Sequence, residues 1–575
     1  MSWILGIVSK SSNYNVKKVI INTVHSKPIY KFCDKNLYLV AGGHEKTCLF
    51  SKKENPKSKW IVCGSGIKID NSKFSIMTNS DWDVLLNAEN QNEKLSKLNG
   101  HFVSVVFKNK NIIIRNDQLC LRDMFITETK ESIIFSTRLD LVVKLLKNPE
   151  IDFNLFGTHW QLLYPLRKNC FVKNVYRLGP NGTARINSKT FTISNKSWLP
   201  ESTPNVSSAN LVDLLKEFTL LPQTFSTLTL ALSGGMDSRT LLSYLINNNS
   251  KNWNTVTWHD DSHSDVIVAK KIIQKFDIQH LLLHKELPGT DECIKEYTKF
   301  VLETLSASAA HNFHELTYYK YINKNNFFID GGAGALLRRM IGNKLLFYGK
   351  KAILNTNINE LYQHLRIPKP DIFDHEINNI LRKGCLSEIG KEFEKIPNPK
   401  KIGVENWIDL FHIRNKYPNH GAPAQARLDG FFQNYMPFAQ PILLKRIFDI
   451  PARKRKNNKI NKTILKNNAK QLLKIPLDKY GAVIPFHTNF YVSFIKAKIK
   501  NKFSKPSQND APHKFLNIIS DYVQDSVRSN EVKNYSPYNY SEIRKLVDRY
   551  FSGETHLATF VNWWLTFDVW RKLIQ

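Results

Sequence analysis

The sequence predicts an α+β domain with antiparallel sheets, followed by an α/β domain with a parallel sheet and a helical C-terminal part. Three observations support this. Short β-type segments separated by polar turns fill residues 1–197, and apolar strands alternate with helical patterns from residue 209. One strand–turn–helix unit contains the segment Ser233-Gly234-Gly235-Met236-Asp237-Ser238. Alternating strands and helices are typical of a parallel sheet covered on both faces.

The first part of the chain is predicted to be a β-rich domain over residues 1–197. Residues 1–8 are apolar and have no basic segment before them, so they are expected to form a strand rather than a signal peptide. Further strands are expected at residues 37–41, 102–107, 112–115 and 132–136, between polar turns. Residues 198–208 contain two prolines and several Ser and Thr residues, which indicates a linker.

The second part, residues 209–575, is predicted to begin with an α/β unit. Helices are expected at residues 212–218, 240–245 and 266–276, and strands at residues 228–232, 254–258, 280–283 and 327–330. Beyond residue 400 the pattern is mostly helical, apart from a polar insertion near residues 504–512. The glycine-rich segment would lie at the carboxyl end of a parallel strand, where open α/β sheets bind ligands.

The glycine-rich segment has the composition of a phosphate-binding turn. Its adjacent glycines let the backbone approach an anion closely, and the N–H groups of the turn and of the following helix face the negative charge. Asp237 is the expected ligand of a Mg²⁺ ion on the phosphates. No Lys follows the glycines, which excludes the P-loop that contacts the outer phosphates of a nucleotide. The alternative interpretation is a glycine turn without a ligand.

The chain of 575 residues has a formal net charge of +32, which makes nucleic acid a candidate partner. The densest basic cluster, Arg453-Lys454-Arg455-Lys456, lacks the interleaved aromatic residues of a single-strand binding platform. We interpret the charge as a solvated basic face and keep RNA binding as an alternative. Scattered cysteines without a Cys-x-x-Cys pair, and no apolar run of membrane-spanning length, predict a cytoplasmic protein without a membrane span.

Several further segments fit one known family. They are residues 1–7, Leu98-Asn99-Gly100-His101-Phe102, residues 117–125 and 135–140, Leu178-Gly179-Pro180-Asn181-Gly182, Asp265 with Ala269, residues 328–334, Met436-Pro437-Phe438, Lys479-Tyr480-Gly481 with Pro485, and residues 563–570. Together they resemble the asparagine synthetase family over nearly the whole chain. The glycine-rich segment resembles the pyrophosphate loop of enzymes that split ATP into AMP and pyrophosphate.

The resemblance implies a fold and an activity. The first domain would be a glutamine amidotransferase-like sandwich of the N-terminal-nucleophile (Ntn) hydrolase type, and the second an adenine nucleotide α-hydrolase-like ATP-pyrophosphatase domain. The implied reaction activates a carboxylate as an acyl-adenylate and then forms an amide, with ATP and Mg²⁺ as cofactors. Lys479 is the implied catalytic residue, which neutralises developing charge. The implied ATP-binding residues are Ala231, Ser233, Gly234, Gly235, Asp237, Ser238, Thr257, Asp330 and Gly331.

The first domain departs from the family at its nucleophile. Ser2 and Trp3 stand where the family has Cys-Gly, and only Cys63-Gly64-Ser65-Gly66 approaches the family's glutamine-binding segment. A Ser hydroxyl is a far weaker nucleophile than a Cys thiolate unless a base activates it, and the candidate base is the N-terminal amine of Ser2, freed by loss of Met1. A Ser after the initiator Met is common, so its presence alone does not indicate this role. Ser2 is therefore interpreted as a vestigial nucleophile, and the nitrogen donor is expected to be ammonia or an amine rather than glutamine.

The second domain departs from the family at its metal site. Ala335 stands where the family has a second Mg²⁺ carboxylate, and Arg338 and Arg339 follow it. Mg²⁺ keeps several waters and takes oxygens from phosphates, so the loss of one ligand need not abolish binding. The two arginines would instead offset phosphate charge.

A further acidic and histidine-rich segment precedes the helix at residues 266–276. It contains His259, Asp260, Asp261 and His263. These are metal-ligand residue types, but their irregular spacing is more typical of a solvated turn. Asp265 is equally explained as an acid in a first helical turn.

Three function classes follow. The first is an AMP-forming amide ligase that joins ammonia or an amine to a small-molecule, peptide or glycan carboxylate. The second is a catalytically retired nucleotide-binding scaffold, which Ser2 and Ala335 both allow. The third is an RNA-modifying enzyme with the same loop, which the charge suggests and the amidotransferase-like first domain argues against. A homodimer is left open as the oligomeric state.

Overall fold

The computed structural model describes residues 1–10, 27–51, 58–71, 73–162, 164–166, 169–200, 208–284, 286–479, 481–488 and 511–575, with the single residues 492, 495 and 499. In chain order, its strands are Trp3–Ser9 (β1), Tyr30–Asp34 (β2), Leu37–Gly42 (β3), Cys48–Phe50 (β4), Lys59–Asp70 (β5), Lys73–Ile76 (β6), Asn99–Lys108 (β7), Asn111–Asn116 (β8), Phe125–Glu128 (β9), Ser132–Ser136 (β10), Val175–Arg177 (β11), Thr183–Ile186 (β12), Phe191–Ser194 (β13), Leu228–Ala231 (β14), Trp253–Trp258 (β15), His280–Leu283 (β16), Phe327–Ile329 (β17), Gln433–Tyr435 (β18), Leu477–Lys479 (β19) and Ala482–Ile484 (β20).

The helices fall into three groups along the chain. Those of the first part are Asn79–Asn87, Gln91–Lys97, Leu139–Val143 and Phe153–Gln161. Those of the middle are Ser208–Leu220, Met236–Ile246, Ser264–Phe276, Thr290–Glu303, His314–Tyr319, Gly334–Leu337, Asn343–Tyr348, Lys350–Leu354, Ile358–Leu365 and His375–Lys395. Those of the last part are Pro399–Ile402, Val404–Lys416, Ala422–Ala426, Pro441–Asp449, Ala452–Arg455, Lys459–Asn468, Ala511–Ile518, Ser520–Arg528, Asn530–Lys533, Tyr540–Phe551 and Ala558–Ile574.

Two antiparallel sheets form the first part. One has the order β11-β9-β10-β1-β3-β2, and the other the order β13-β12-β8-β7-β5-β4, with β6 paired to β5. Alternate residues explain their packing, because successive side chains of a strand point to opposite faces. Ile61 of β5 packs into the core between the two sheets, whereas its neighbour Trp60 packs outward under the helix Asn79–Asn87. The outer face of the other sheet is covered by helices that include Phe153–Gln161 and Ala558–Ile574.

The second part contains a parallel sheet with the order β16-β15-β14-β17-β18. The antiparallel first part, the parallel sheet and the helical C-terminal part were predicted and are confirmed. The linker prediction falls partly on residues 201–207, which lie outside the described residues, as do residues 504–510 of the predicted polar insertion. Pro512 does not belong to an insertion, because it is buried within the helix Ala511–Ile518. Among the described residues, none of the helices is both long and apolar enough to span a membrane.

The basic cluster at residues 453–456 is not a uniform solvated face, which corrects the interpretation of Arg455. This side chain is fully buried and forms an ion pair with Asp409 at 2.8 Å. Asp409 is also buried, and it needs a cationic partner because an unpaired charge is costly away from water. Arg455 is therefore a structural residue rather than part of a nucleic-acid surface.

A buried ion pair joins the two parts of the molecule. Arg122 donates from Nε and from one terminal nitrogen to the two carboxylate oxygens of Asp429, at 2.5 and 2.8 Å. Nearby, the Gly100 N–H donates to the side-chain oxygen of Gln440 at 2.8 Å, and the Met436 N–H donates to His101 at 3.1 Å. Removing one member of a buried pair leaves the other charge without compensation.

We therefore expect Arg122→Ala to weaken the junction by about 3–5 kcal/mol. The measurement is native-state hydrogen exchange at the Gly100 amide, whose bond crosses the junction. The control is Lys97→Ala, which removes an exposed pair with Glu93 and should change the protection of that amide by less than about 0.5 kcal/mol. Equal protection in both variants would contradict a stabilising role for Arg122.

Candidate functional site

The candidate site lies at the point where the strand order of the parallel sheet reverses. The connection after β14 leads to β15 on one side, whereas β17 lies on the other side of β14. The carboxyl ends of β14 and β17 therefore border a crevice at the topological switch point, which is where sheets of this kind bind ligands. Residues 232–238 follow β14 in this crevice, and Asp330 and Gly331 follow β17.

The glycine-rich loop is held from both sides. The Gly234 N–H donates to Oδ1 of Asp265 at 2.6 Å, and the Gly234 carbonyl accepts from the Asp478 N–H at 2.9 Å. Within the loop, the hydroxyls of Ser233 and Ser238 are hydrogen-bonded at 3.0 Å. The following helix, Met236–Ile246, has Gly235 as its N-cap and receives no side-chain cap. Its first N–H groups therefore face the crevice without a side-chain acceptor, which suits an anion.

Close packing explains why this crevice is rich in glycine. A Cβ on Gly331 would lie 2.9 Å from the backbone nitrogen of Ser238, and a Cβ on Gly334 would lie 2.5 Å from Cγ of Asp237. A Cβ on Gly234 would lie 2.8 Å from Cβ of Asp478. A larger residue at any of these positions would displace the loop. Asp478 is a contact that the sequence analysis missed, because no local pattern indicates a residue so distant along the chain.

The two carboxylate oxygens of Asp237 have different surroundings. Oδ2 accepts from Arg338 at 2.7 Å, whereas Oδ1 is buried and has no hydrogen-bond partner among the described residues. Burial raises the pKa of Asp237, and Arg338 partly opposes that increase. A buried oxygen without a partner is the kind of ligand that Mg²⁺ takes, so Asp237 fits the implied metal. Ala335 offers no side-chain oxygen.

The remaining predicted ATP-binding residues border the loop at its base. Thr257 in β15 is buried, and its hydroxyl donates to the Leu232 carbonyl at 2.5 Å, just before the loop begins. Ala231 ends β14. At the end of β17, the Asp330 carboxylate accepts from the Gly332 N–H at 2.6 Å, and burial raises the pKa of Asp330 to about 6. The structure therefore brings all nine predicted ATP-binding residues together around the loop, at the carboxyl ends of β14, β15 and β17.

Lys479 ends β19, next to Asp478, which is bonded to the loop. Its ammonium group donates to the Thr488 carbonyl at 3.2 Å. Burial lowers the pKa of Lys479, and the positive charges of Lys462 and Arg338 lower it further. Arg338 therefore acts on both Asp237 and Lys479. Tyr480, which follows Lys479 in the predicted motif, lies outside the described residues.

Arg339 does not serve the site, which corrects the expectation that both arginines offset phosphate charge. Its side chain is buried, lies 3.4 Å from Asp409 and donates to the Ile341 carbonyl. Its backbone has φ 53°, the left-handed conformation. This turn directs Arg338 toward the loop and Arg339 toward the interior.

Ser2 is buried at the junction of the two parts. Its hydroxyl donates to the Asp429 carbonyl at 2.8 Å, lies 2.8 Å from the Thr47 hydroxyl, and accepts from the His44 N–H at 3.2 Å. None of these groups is a base strong enough to activate a hydroxyl. The Met1 amine lies 3.9 Å from the buried carboxylate of Glu303.

The space beside Ser2 is small. A cavity of about 50 Å³ borders Met1, Ser2 and Cys63, and this volume is large enough for water but too small for an amino acid. Cys63-Gly64-Ser65-Gly66 lies within β5, where a Cβ on Gly64 would lie 2.1 Å from the His101 carbonyl. This segment is therefore an interior part of a sheet.

The acidic and histidine-rich segment does not form a single cluster of its four predicted residues. Asp260 and Asp261 are exposed and pair with His284 and Lys270, respectively. The structure instead gathers His259, His263 and Asp265, whose ligand atoms lie within 4.8 Å of one another. The interpretation as a solvated turn holds for Asp260 and Asp261 but not for His259 and His263, which are partly buried beside Asp265.

Comparisons with known proteins give little beyond this geometry. The chain matches no protein-family model and no curated protein sequence. Among solved structures, glutamine phosphoribosylpyrophosphate amidotransferase from B. subtilis complexed with ADP and GMP covers 68% of this chain and 87% of its own, at 11% identity and a TM-score of 0.21. The allosteric regulatory enzyme of purine biosynthesis covers 68% of this chain and 86% of its own, at the same identity and TM-score. These scores carry no argument about function.

The pKa of Asp330 leads to a prediction about pH. Because its folded-state pKa is about 6, above the ordinary value of 3.8, the ionised carboxylate destabilises the folded chain once the pH exceeds both values. Asp330→Asn keeps an oxygen for the Gly332 N–H and removes this cost. We expect the variant to be more stable to urea at pH 8 by up to about 3 kcal/mol, with the gain shrinking below pH 6 and vanishing below pH 4.

The control for this experiment is Asp261→Asn, since the Asp261 side chain is 74% exposed. It should unfold like the wild type at both pH values. A gain for Asp330→Asn that stays the same at pH 3.5 and pH 8 would contradict the assignment of the effect to ionisation.

Proposed function

We propose that this protein is an ATP-dependent, AMP-forming amide ligase of the asparagine synthetase type. The single observation that carries the proposal is the preformed loop at residues 233–238, which presents uncapped helix N–H groups beside Asp237 at the switch point of the sheet. In this proposal the first part is an Ntn-type amidotransferase-like domain, and the second an adenine nucleotide α-hydrolase-like domain. The acid is a small-molecule, peptide or glycan carboxylate.

The proposed reaction has two steps. The substrate carboxylate attacks the α-phosphorus of ATP and pyrophosphate leaves; ammonia or an amine then attacks the acyl carbon and AMP leaves. The loop N–H groups bind the departing pyrophosphate. Lys479 and Arg338 supply positive charge where negative charge develops on the phosphate and acyl oxygens. When bound to Asp237, Mg²⁺ would add charge neutralisation on the phosphates.

The surroundings of Ser2 support a nitrogen source other than glutamine. Its hydroxyl is bonded to a carbonyl, a hydroxyl and an amide N–H, and the adjacent cavity is about 50 Å³. Neither an activating base nor room for glutamine is present among these described groups. In this proposal the first domain is a structural partner of the second, held to it through Arg122 and Asp429.

A second candidate function is nucleotide binding without turnover. The ion pair between Arg338 and Asp237 favours it, because the arginine occupies one oxygen of the proposed Mg²⁺ ligand and Ala335 supplies no replacement. A fixed guanidinium can neutralise a bound phosphate without a metal. The two functions differ in one observable, which is the release of AMP.

The proposal predicts that the protein releases AMP and pyrophosphate from Mg-ATP in the presence of ammonium and a pool of carboxylates headed by aspartate. Asp237→Ala and Lys479→Met should each lower the rate by about 100-fold or more, as expected for groups that stabilise a charged transition state. The matched controls Asp261→Ala and Lys470→Met change exposed residues and should keep the wild-type rate. ATP binding without acid-dependent AMP would instead support the scaffold.

The proposal also predicts no use of glutamine. Replacing ammonium by glutamine should abolish amide formation in the wild type, and Ser2→Ala should leave the ammonium-dependent rate within about twofold, because Ser2 takes no part in the chemistry. Glutamate released from glutamine, measured by chromatography, is the readout. Release by the wild type that disappears in Ser2→Ala would contradict the assignment of Ser2 as vestigial.

A further inference from the structure

Two histidines and one aspartate lie together beside the glycine-rich loop, and none of them belongs to the proposed ATP-binding residues. His259 follows the carboxyl end of β15, His263 is the N-cap of the helix Ser264–Phe276, and Asp265 lies in the first turn of that helix. One ligand atom from each lies within 4.8 Å of the other two. All three side chains are partly buried, so an ion can reach them from solvent.

The backbone of His259 adopts a conformation that side chains rarely take, with φ 115°. This conformation costs free energy in a residue other than glycine and tends to occur at functional sites. Its consequence here is that the His259 ring stacks on the His263 ring, with centroids 4.1 Å apart and an angle of 26° between the planes. The strained turn therefore brings two imidazoles together.

The hydrogen bonding of His263 leaves two electron-rich atoms facing one another. Its Nδ1 accepts from the Asp265 N–H at 3.2 Å, so that nitrogen carries a lone pair, and it lies 3.8 Å from Oδ2 of Asp265. A cation between this nitrogen and the carboxylate oxygen would be attracted to both atoms. A metal ion at this position would replace the long hydrogen bond.

We propose that His259, His263 and Asp265 form a binding site for a divalent transition metal, of which Zn²⁺ is the best match. Two imidazoles and one carboxylate are a ligand set that Zn²⁺ takes with one position left open for water or a substrate oxygen. Ligand atoms of such a site lie about 3.4 Å apart, given bonds of about 2.1 Å in tetrahedral geometry. In this proposal, the side chains rotate on metal binding and shorten the present separations, which are within 4.8 Å, to that distance.

The second oxygen of Asp265 connects this site to the phosphate loop. Oδ1 accepts from the Gly234 N–H at 2.6 Å, so the carboxylate that binds the metal through Oδ2 is oriented by the loop through Oδ1. Outer contacts of this kind fix a metal ligand in place. The site therefore adds a cation beside the loop, at a position separate from Asp237, and does not depend on the proposed ligase activity.

The test is metal binding by the full-length protein after removal of metals with a chelator. Titration with Zn²⁺ in a calorimeter should give one strong site per chain, and Co²⁺, a coloured substitute, should give the intense visible absorption of a tetrahedral site. His259→Asn and His263→Gln should each weaken Zn²⁺ binding by at least tenfold and remove the Co²⁺ absorption. Asn is chosen because it tolerates positive φ better than most residues.

The matched control is His556→Ala, which removes an exposed histidine far along the chain and should leave both signals unchanged. Circular dichroism of the metal-free variants checks that each is folded, and either histidine variant alone suffices for the comparison. Absence of stoichiometric Zn²⁺ binding by the wild type would overturn the proposal. Binding that is equally strong in the folded His259 or His263 variant would also overturn it.

Discussion

The candidate site depends on how Gly234 is held. Its N–H is bonded to Asp265 and its carbonyl to the Asp478 N–H, so a helix residue and a hairpin residue hold the two peptide groups that flank Gly234. This constraint turns the chain sharply after β14 and leaves the next helix to start without a side-chain cap. An anion site formed in this way needs little reorganisation when a ligand binds, and that preorganisation is what electrostatic catalysis requires.

One arginine, Arg338, affects two other charged residues beside this loop. Arg338 lies against Asp237 and lowers the pKa of Lys479, so a ligand that draws Arg338 away would change the surroundings of both groups.

The first part of the chain is held to the second by buried contacts. Its contact with the second part, centred on Arg122 and Asp429, also encloses Ser2, so the Ser2 hydroxyl is part of the packing between the two parts.

Local patterns in the sequence predicted nine of the twenty described strands and the position of the loop. The strand Ser132–Ser136 and the strand His280–Leu283 have the expected bounds, because each is a short apolar run with polar residues on both sides. Contacts between distant segments were beyond such patterns. Asp478 lies more than two hundred residues after Gly234, and the buried Arg455 has partners on other segments, among them Asp409. The convergence of His263 with Asp265 and His259 likewise depends on a backbone turn that no spacing rule indicates.

The most direct test of this account is a crystal structure of the protein with Mg²⁺ and an ATP analogue that cannot be cleaved between the α- and β-phosphates. The account predicts phosphate density against the first N–H groups of the helix, residues 236–238, with Asp237 no longer bonded to Arg338 alone. It also predicts the α-phosphate within reach of Lys479. A nucleotide bound at another surface of the protein, with no phosphate density at the loop, would contradict the assignment of this loop as the nucleotide site.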